Sequence, residues 1–462
     1  MQCQSFFSSK PRALAKPKFN SWSEKGLASM FAHKTRSLSY DIVILTFCLA
    51  CFTKGWSNPP LLLSLRAAED FAMQNNKQMN ASLHALEQGY YGYRASQDAF
   101  LPKVTFAVQG SVGKSDSEHQ YSVDSALQIT QRLYDPKATY YLKEAQIEWE
   151  RLRLAVQEEI CEILFQVRQA YHEVLLNQAR LAVDQIIIHL WEEELNKEKR
   201  HLELGVAISY QVNQVQLELK KGWMDYYETE KRILHSQLTL LTLLGLPPNT
   251  PFHLSEQEIS LPPNDWQRCS VEQWKAWAFQ YRPQLQREEL AFLLRQTKGS
   301  QIKAECFPTL NLYGIAGHRY VNEGFDRQPS VAVGVNLDWT LYDPSHGQRI
   351  KQAKESLREA ASNYAQKELE AEAIVYELLN EIKHSYLFYL AAQEAAGIAE
   401  EGMRMVSRKH ELGIFSLFES REAIKNLHEA KQKVNQAVFD LRHAYDRLIQ
   451  QTGLDLQKDL KH

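Results

Sequence analysis

The 462-residue chain is most informative first in what it lacks. It has six cysteines, at positions 3, 48, 51, 161, 269 and 306. The one close pair, Cys48 and Cys51, falls inside an apolar stretch with no second metal-spaced pair beside it, which leaves neither a zinc site nor a disulfide framework. Charge of one sign is not in excess either: 53 Lys and Arg stand against 56 Asp and Glu, for a net charge of -3. The overall basic field that nucleic-acid binding draws on is therefore missing, and no nucleic-acid partner is expected.

Catalytic signatures stop short as well. His172-Glu173, His410-Glu411 and His428-Glu429 each begin a zinc-protease motif, but the second histidine is replaced by Leu176, Ile414 and Gln432. Gly113-Lys114-Ser115 resembles the end of a phosphate loop, yet Val108 occupies the position of its first glycine and the segment alternates like a strand. No enzyme and no cofactor are expected.

What the chain does have is a globular balance of 44% hydrophobic and 24% charged residues, enough for one large domain or several smaller ones. Near the N-terminus the apolar run Ile42–Phe52 follows a basic segment (Lys25, His33, Lys34, Arg36) and precedes the turn-forming Gly55, Ser57, Asn58, Pro59 and Pro60. At about 11 residues the run is too short to span a bilayer, and it reads as the core of a secretory signal. Residues 1–56 are thus expected to be an export-signal region, with Met30 as an alternative start. Cleavage is expected to leave a mature chain beginning between Cys48 and Asn58. The residues before Cys48 and Cys51 fit a lipobox poorly.

The chain resembles itself at a fixed shift. Leu133-Tyr134-Asp135-Pro136 recurs as Leu341-Tyr342-Asp343-Pro344, Glu203-Leu204-Gly205 as Glu411-Leu412-Gly413, and Gly245-Leu246 as Gly453-Leu454. Three matches at one shift point to an internal two-fold repeat. The expected organisation is a first repeat over 57–246, a proline-rich linker over 247–268 and a second repeat over 269–462. Each repeat reads helix, strand, strand, long helix, turn, long helix. In the first, Leu62 to Ala99 has a helical composition that Pro102 ends. Asp135 then stands where an N-cap belongs, with Pro136 at the first helical position, and Asp343 with Pro344 repeats the device.

The segments between these helices alternate. Tyr121, Val123, Leu127, Ile129 and Leu133 face opposite Ser122, Asp124, Gln128, Thr130 and Arg132. Val331, Val333, Val335, Leu337, Trp339 and Leu341 alternate with Ala332, Gly334, Asn336, Asp338 and Thr340, and Val104, Phe106, Val108 and Val112 do likewise. Leu310 to Arg319 is weaker, because Tyr313 and Ile315 break the pattern. Strands of about 9–11 residues cross a membrane when tilted, and a water-filled barrel needs this alternation, although a half-buried soluble sheet has it too. Four strands cannot close a barrel, so a spanning chain has to oligomerise.

The long helices carry seams. Leu427, Ala430, Val434, Ala437, Leu441, Ala444 and Leu448 step by three and four, as do Ile160, Ile163, Val167, Ala170 and Val174. Such seams hold long helices side by side without a compact core. They fit a coiled tunnel, and equally a non-membrane coiled-coil scaffold with a small soluble sheet.

The ordered set, found twice, resembles the TolC-like outer-membrane efflux proteins over about Leu62 to Leu456. The resemblance implies an α+β membrane protein in which each chain gives four β-strands to a trimeric 12-stranded transmembrane barrel, continued into the periplasm by a long antiparallel α-helical tunnel of 12 helices. It implies a homotrimeric outer-membrane duct for efflux or type I secretion, set in outer-membrane lipid and coupled to an inner-membrane pump through a periplasmic adaptor. It also assigns residues. The helical turns at Gly205 and Gly413 are the adaptor contacts, and the family's basic residue four before each glycine is here His201 and Lys409, with Arg200 and Arg408 one step earlier. Two acidic residues beyond the second turn, Glu419 and Glu422, match a periplasmic gate of carboxylate rings; the same count from Gly205 meets the neutral Gln211 and Gln214. The plainer reading makes both ordinary solvated positions, with Arg421 between them and Arg408 nearby as counter-charges.

Overall fold

Two side chains at Asp135 and Pro136 set the start of the longest helix. In the computed structural model, which describes residues 61–115, 118–321, 328–411 and 416–455, the Asp135 carboxylate accepts a hydrogen bond from Ala138 N at 3.0 Å and Pro136 opens the helix. The expected signal region lies outside the described residues. Element order is β1 (Leu61–Leu63), α1 (Leu65–Asn75), α2 (Lys77–Asp98), β2 (Lys103–Ser115), β3 (Glu118–Tyr134), α3 (Pro136–Glu203) and α4 (Ser209–Leu243). There follow β4 (Phe252–Leu254), α5 (Asp265–Arg268), α6 (Val271–Tyr281), α7 (Pro283–Ala304), β5 (Thr309–Val321), β6 (Gln328–Asp338), α8 (His346–Glu411) and α9 (Leu417–Thr452). At 1.5 Å per residue, the 68 residues of α3 make a rod of about 100 Å.

The second strand-to-helix junction departs from the first. Asp343 does not cap a helix at Pro344; α8 starts at His346. Ser345 donates both its N–H and its hydroxyl to Asp343 Oδ1, at 2.8 and 2.7 Å, and Arg349 pairs with the other oxygen. These local donors fold Asp343 to Ser345 into a turn, and the helix begins only after it. The hydrogen bonds from Ser345 and the pairing with Arg349 hold the Asp343 carboxyl below its usual range.

One antiparallel sheet runs in the order β2-β3-β5-β6. Its register pairs Val104 with Ile129, Phe106 with Leu127, Leu310 with Leu337 and Leu312 with Val335. Directly paired residues share a face. That register accounts for the weak pattern in β5: its apolar face is Leu310, Leu312, Gly314 and Ala316, while Tyr313 and Ile315 lie on the other, between Thr130 and Gln128 of β3 and Gly334 and Ala332 of β6. The apolar face is bare in the single chain, with Val104, Phe106, Val112, Val331, Val333 and Leu337 between 59% and 79% exposed. Strands β2 and β6 each have one unpaired edge among the described residues.

The helices pack through small cores strung along their length. One joins Ala68, Ala72, Ile163, Val167, Tyr171, Val174 and Leu240; another joins Trp274, Leu378, Ile382, Leu441 and Leu448; a third joins Ile187, Trp191, Val215, Leu417 and Ile424. The proline-rich segment between the halves is more than a connection. Strand β4 pairs in parallel with β1, Leu61 opposite Phe252, and the Tyr171 hydroxyl donates to Leu63 O and to the Glu256 carboxylate.

Each expected leading helix is broken in two. Asn76 interrupts the first by accepting from Gln78 and Met79 N while its Nδ2 donates to Leu243 O at 2.9 Å, and Arg282-Pro283 interrupts the second. A glycine sits against each break. Gly245 and Gly453 both have φ of +70°, and a Cβ on either would lie 2.5 Å from a backbone carbonyl oxygen, that of Asn75 or of Tyr281. An L-residue in the left-handed region costs about 1–2 kcal/mol before any clash. Gly245→Ala and Gly453→Ala are therefore expected to destabilise the detergent-extracted protein by more than about 2 kcal/mol, read as lowered thermal midpoints. Gly92→Ala, in α2 with open space around it, is expected to be neutral or to stabilise by about 0.5–1 kcal/mol.

Candidate functional site

The capping residues Asp135 and Pro136 lie at one end of α3 and the expected contact residues Arg200 and Gly205 at the other, so α3 alone separates them by about 100 Å. At the far end α3 closes with Gly205 in the left-handed region (φ +74°), and Val206 N returns to His201 O at 2.9 Å. The turn is apolar. Leu204 and Val206 are 75% and 76% exposed, and Leu202, Ile208 and Tyr210 extend the patch. Arg200 is exposed, whereas His201 is partly covered, with Nδ1 3.5 Å from Glu198 Oε1. Glu198 is fully buried and Glu194 nearly so; burial raises the Glu198 carboxyl, against the pull of His201.

The second turn joins α8 to α9, and Gly413 lies outside the described residues. Arg408 and Lys409 are exposed in the last turn of α8. Ser416 caps α9, its hydroxyl accepting from Glu419 N at 3.4 Å. Glu419 and Glu422, three residues apart, share one exposed face of the first two turns. Lys409 Nζ reaches Glu419 Oε2 at 3.1 Å across the turn. Among the described residues no ion pair or hydrogen bond engages Glu422.

Arg421 does not serve either carboxylate. It crosses to α4, donating to Gln214 Oε1 at 2.7 Å and Glu218 Oε1 at 3.2 Å; Lys425 reaches the same Glu218 oxygen at 3.2 Å and Lys221 at 3.4 Å. Glu218 is the residue that reading the sequence missed. Its signal was a charged residue beside the buried Val215 and Leu219 on the packed face of α4. Burial alone would push its carboxyl up, but the hydrogen bond and charge of Lys425, with Lys221, outweigh it and hold the carboxyl below its ordinary value.

Further along, Asp184 of α3 is buried and accepts from Thr229 Oγ1 of α4 at 2.7 Å and from Gln432 Nε2 of α9 at 2.9 Å, with His428 Nε2 at 3.0 Å. One carboxylate thus links three helices. A polar residue in the seam line, like Asn177 with its bond to Ser236, was the available signal. Arg168 plays a similar part between Glu69 and Asp455, at 2.5 and 2.8 Å. Among the described residues no group of three or more His, Cys, Asp or Glu could hold a metal ion, and no helix is long and apolar enough to cross a membrane.

Residues 70–246 and 277–454, together well over half of the chain, match the family described as outer membrane efflux protein. No curated protein matches the sequence. Among solved structures, the fold is similar to the outer-membrane channel OprN, with a TM-score of 0.72 at 14% identity over 84% of this chain and 89% of that one. It is similar to the CmeC outer membrane channel of Campylobacter jejuni, at 0.71 and 15% identity over 84% and 85% of the two chains. The MtrE outer membrane channel of Neisseria gonorrhoeae, solved in its open state, gives 0.69 at 16% identity over 84% and 88%.

The Glu218 cluster is expected to make the packing of α4 on α9 sensitive to acid. A carboxylate whose folded pKa is depressed contributes stability that is present above its unfolded value and lost as pH falls through the folded one. The hold of α4 on the first turns of α9 is therefore expected to be intact above the ordinary value of 4.5 and to weaken below it. Hydrogen exchange at Ser420 to Lys425, corrected for intrinsic rates, is expected to quicken as pH falls below 4.5. Glu218→Gln should exchange faster at neutral pH and lose that dependence.

Proposed function

Because the chain belongs to the outer membrane efflux protein family, we propose that it is one subunit of a homotrimeric exit duct that carries cargo across the outer membrane for an inner-membrane pump. The observation that carries this reading is the sheet. Four strands present a bare apolar face and end in two unpaired edges, β2 and β6. Each unsatisfied backbone group in hydrocarbon costs several kcal/mol, and membrane barrels need at least about eight strands. Three copies supply twelve, joining the β6 edge of one chain to the β2 edge of the next.

The helices support the same assembly. Leu217, Met224 and Leu234 on α4, and Leu369, Tyr376, Leu387 and Ile398 on α8, are exposed in the single chain, and the intervals of seven and eleven on α8 keep its four on one helix face. These stripes suit burial against neighbouring subunits in a closed ring of twelve helices. The two sequence repeats, 57–246 and 269–462, then act as alternating staves, with 247–268 joining them.

At the tip, the apolar patch over Leu202 to Tyr210, with Arg200 beside it, and the basic Arg408 and Lys409 near Gly413 suit a periplasmic adaptor that docks end-on. Glu419 and Glu422 face away from the packed side of α9, and a threefold axis brings three copies of each together as a gate. Like charges held close favour cations and repel anions. The duct needs no catalytic group and no cofactor.

The protein is expected to fractionate with the outer membrane, to require detergent for extraction, and to cross-link as trimers in mild detergent. A soluble protein, as a coiled-coil scaffold would be, or a stable monomer retaining its strands, would sink this reading. In planar-bilayer recordings, replacing Glu419 and Glu422 together by Gln is expected to lower cation preference without harming assembly. Unchanged selectivity in a correct trimer would refute the gate.

A further inference from the structure

Glu419 and Glu422 would form two rings of equal formal charge at the gate, but their surroundings are unequal. Glu419 has a cation 3.1 Å away in Lys409, and Glu422 has no ion-pair partner among the described residues. We propose that Lys409 sets the gate's selectivity by cancelling the Glu419 ring, so that cation preference comes from a net charge of one carboxylate per subunit rather than two. This rests on the gate reading and refines it.

Both partners sit where the backbone favours them. Glu419 is in the first turn of α9, whose exposed N–H groups favour an anion, and Lys409 is in the last turn of α8, whose free carbonyls favour a cation. The pair is about half exposed on each side, 50% and 47%, so its contribution to stability is small. Its effect on permeation does not depend on that contribution. A passing ion responds to summed charge within the screening distance, about 8 Å at physiological ionic strength, and the pair is far shorter than that.

Glu422 is left without a counter-charge because the cations nearest to it in sequence are engaged elsewhere. Arg421 is turned to Gln214 and Glu218, and Lys425 to Glu218. Per subunit, the contacts hold two carboxylates and the Lys409 ammonium at this turn, while Arg408, exposed one residue earlier, pairs with neither carboxylate among the described residues. In a trimer the rings of Glu419 and Lys409 compensate each other, and the ring of Glu422 stands uncompensated.

Charge bookkeeping gives the test its discriminating power. Reversal potentials would be measured across bilayers holding the full-length protein in a potassium chloride gradient, with each variant first confirmed as a trimer by cross-linking. Lys409→Gln is expected to raise the potassium-to-chloride permeability ratio by roughly fivefold, the factor that one unit charge at about 4 Å in water amounts to. Lys409→Arg, which keeps the charge, is expected to match the wild type. Glu419→Gln leaves Lys409 unopposed and should bring the ratio close to unity, as should Glu422→Gln. The double variant Lys409→Gln with Glu419→Gln should return to the wild-type ratio. If Lys409→Gln leaves the ratio unchanged and the double variant behaves like Glu419→Gln alone, Lys409 has no such role although the gate stands. If neither glutamate substitution changes the ratio, the gate reading itself fails and this inference falls with it.

Discussion

Everything in this chain answers to the hydrogen-bonding requirement of a strand edge in hydrocarbon. A sheet with an apolar face cannot leave its terminal strands unpaired where there is no water to bond them. The β2-β3-β5-β6 sheet ends in two such edges among the described residues, and in the proposed duct neighbouring copies pair them. Once closure by neighbours is required, the rest follows in order. In the proposed duct the helices that continue from β3 and β6 also sit beside copies of themselves, which gives the exposed apolar stripes on α4 and α8 an occupant.

The helical part meets a different difficulty, that of staying ordered without a compact centre. Small apolar cores along α3, α8 and α9 are interspersed with polar links, Asp184 with Thr229 and Gln432, and Arg168 with Glu69 and Asp455. Apolar seams tolerate sliding by a heptad, because one Leu or Ala replaces another. A buried carboxylate with fixed donors does not, since a shift strands it without partners. The polar links therefore fix register, and the seams supply most of the burial.

Some of this was legible in the sequence. The alternating strands, the Asp135-Pro136 start and the seam from Leu427 to Leu448 are local patterns, and local patterns survive folding. Most of what was not legible depended on partners distant in the chain. The breaks at Asn76 and Arg282 require Gly245 and Gly453 to press against helix ends well over a hundred residues away. The Asp343 turn won over a cap because Ser345 and Arg349 competed for its carboxylate. Arg421 looked from its position like a counter-charge for the neighbouring glutamates, and only the packing of α4 turned it to Glu218. The Lys409 to Glu419 pair bridges ten positions and two helices, a spacing that no helical periodicity predicts.

The unbroken run of α3 from Pro136 to Glu203 has a mechanical meaning. A helix of this length, with hydrogen bonds along its whole course, is stiff in compression and far easier to tilt than to shorten. One end is fastened by Asp135 at the rim of the sheet and the other finishes in the exposed tip. A subunit cannot widen its tip by contracting; it can only lean or twist as a strut pivoting near the sheet, so that a small rotation at the rim becomes a wide sweep about 100 Å away.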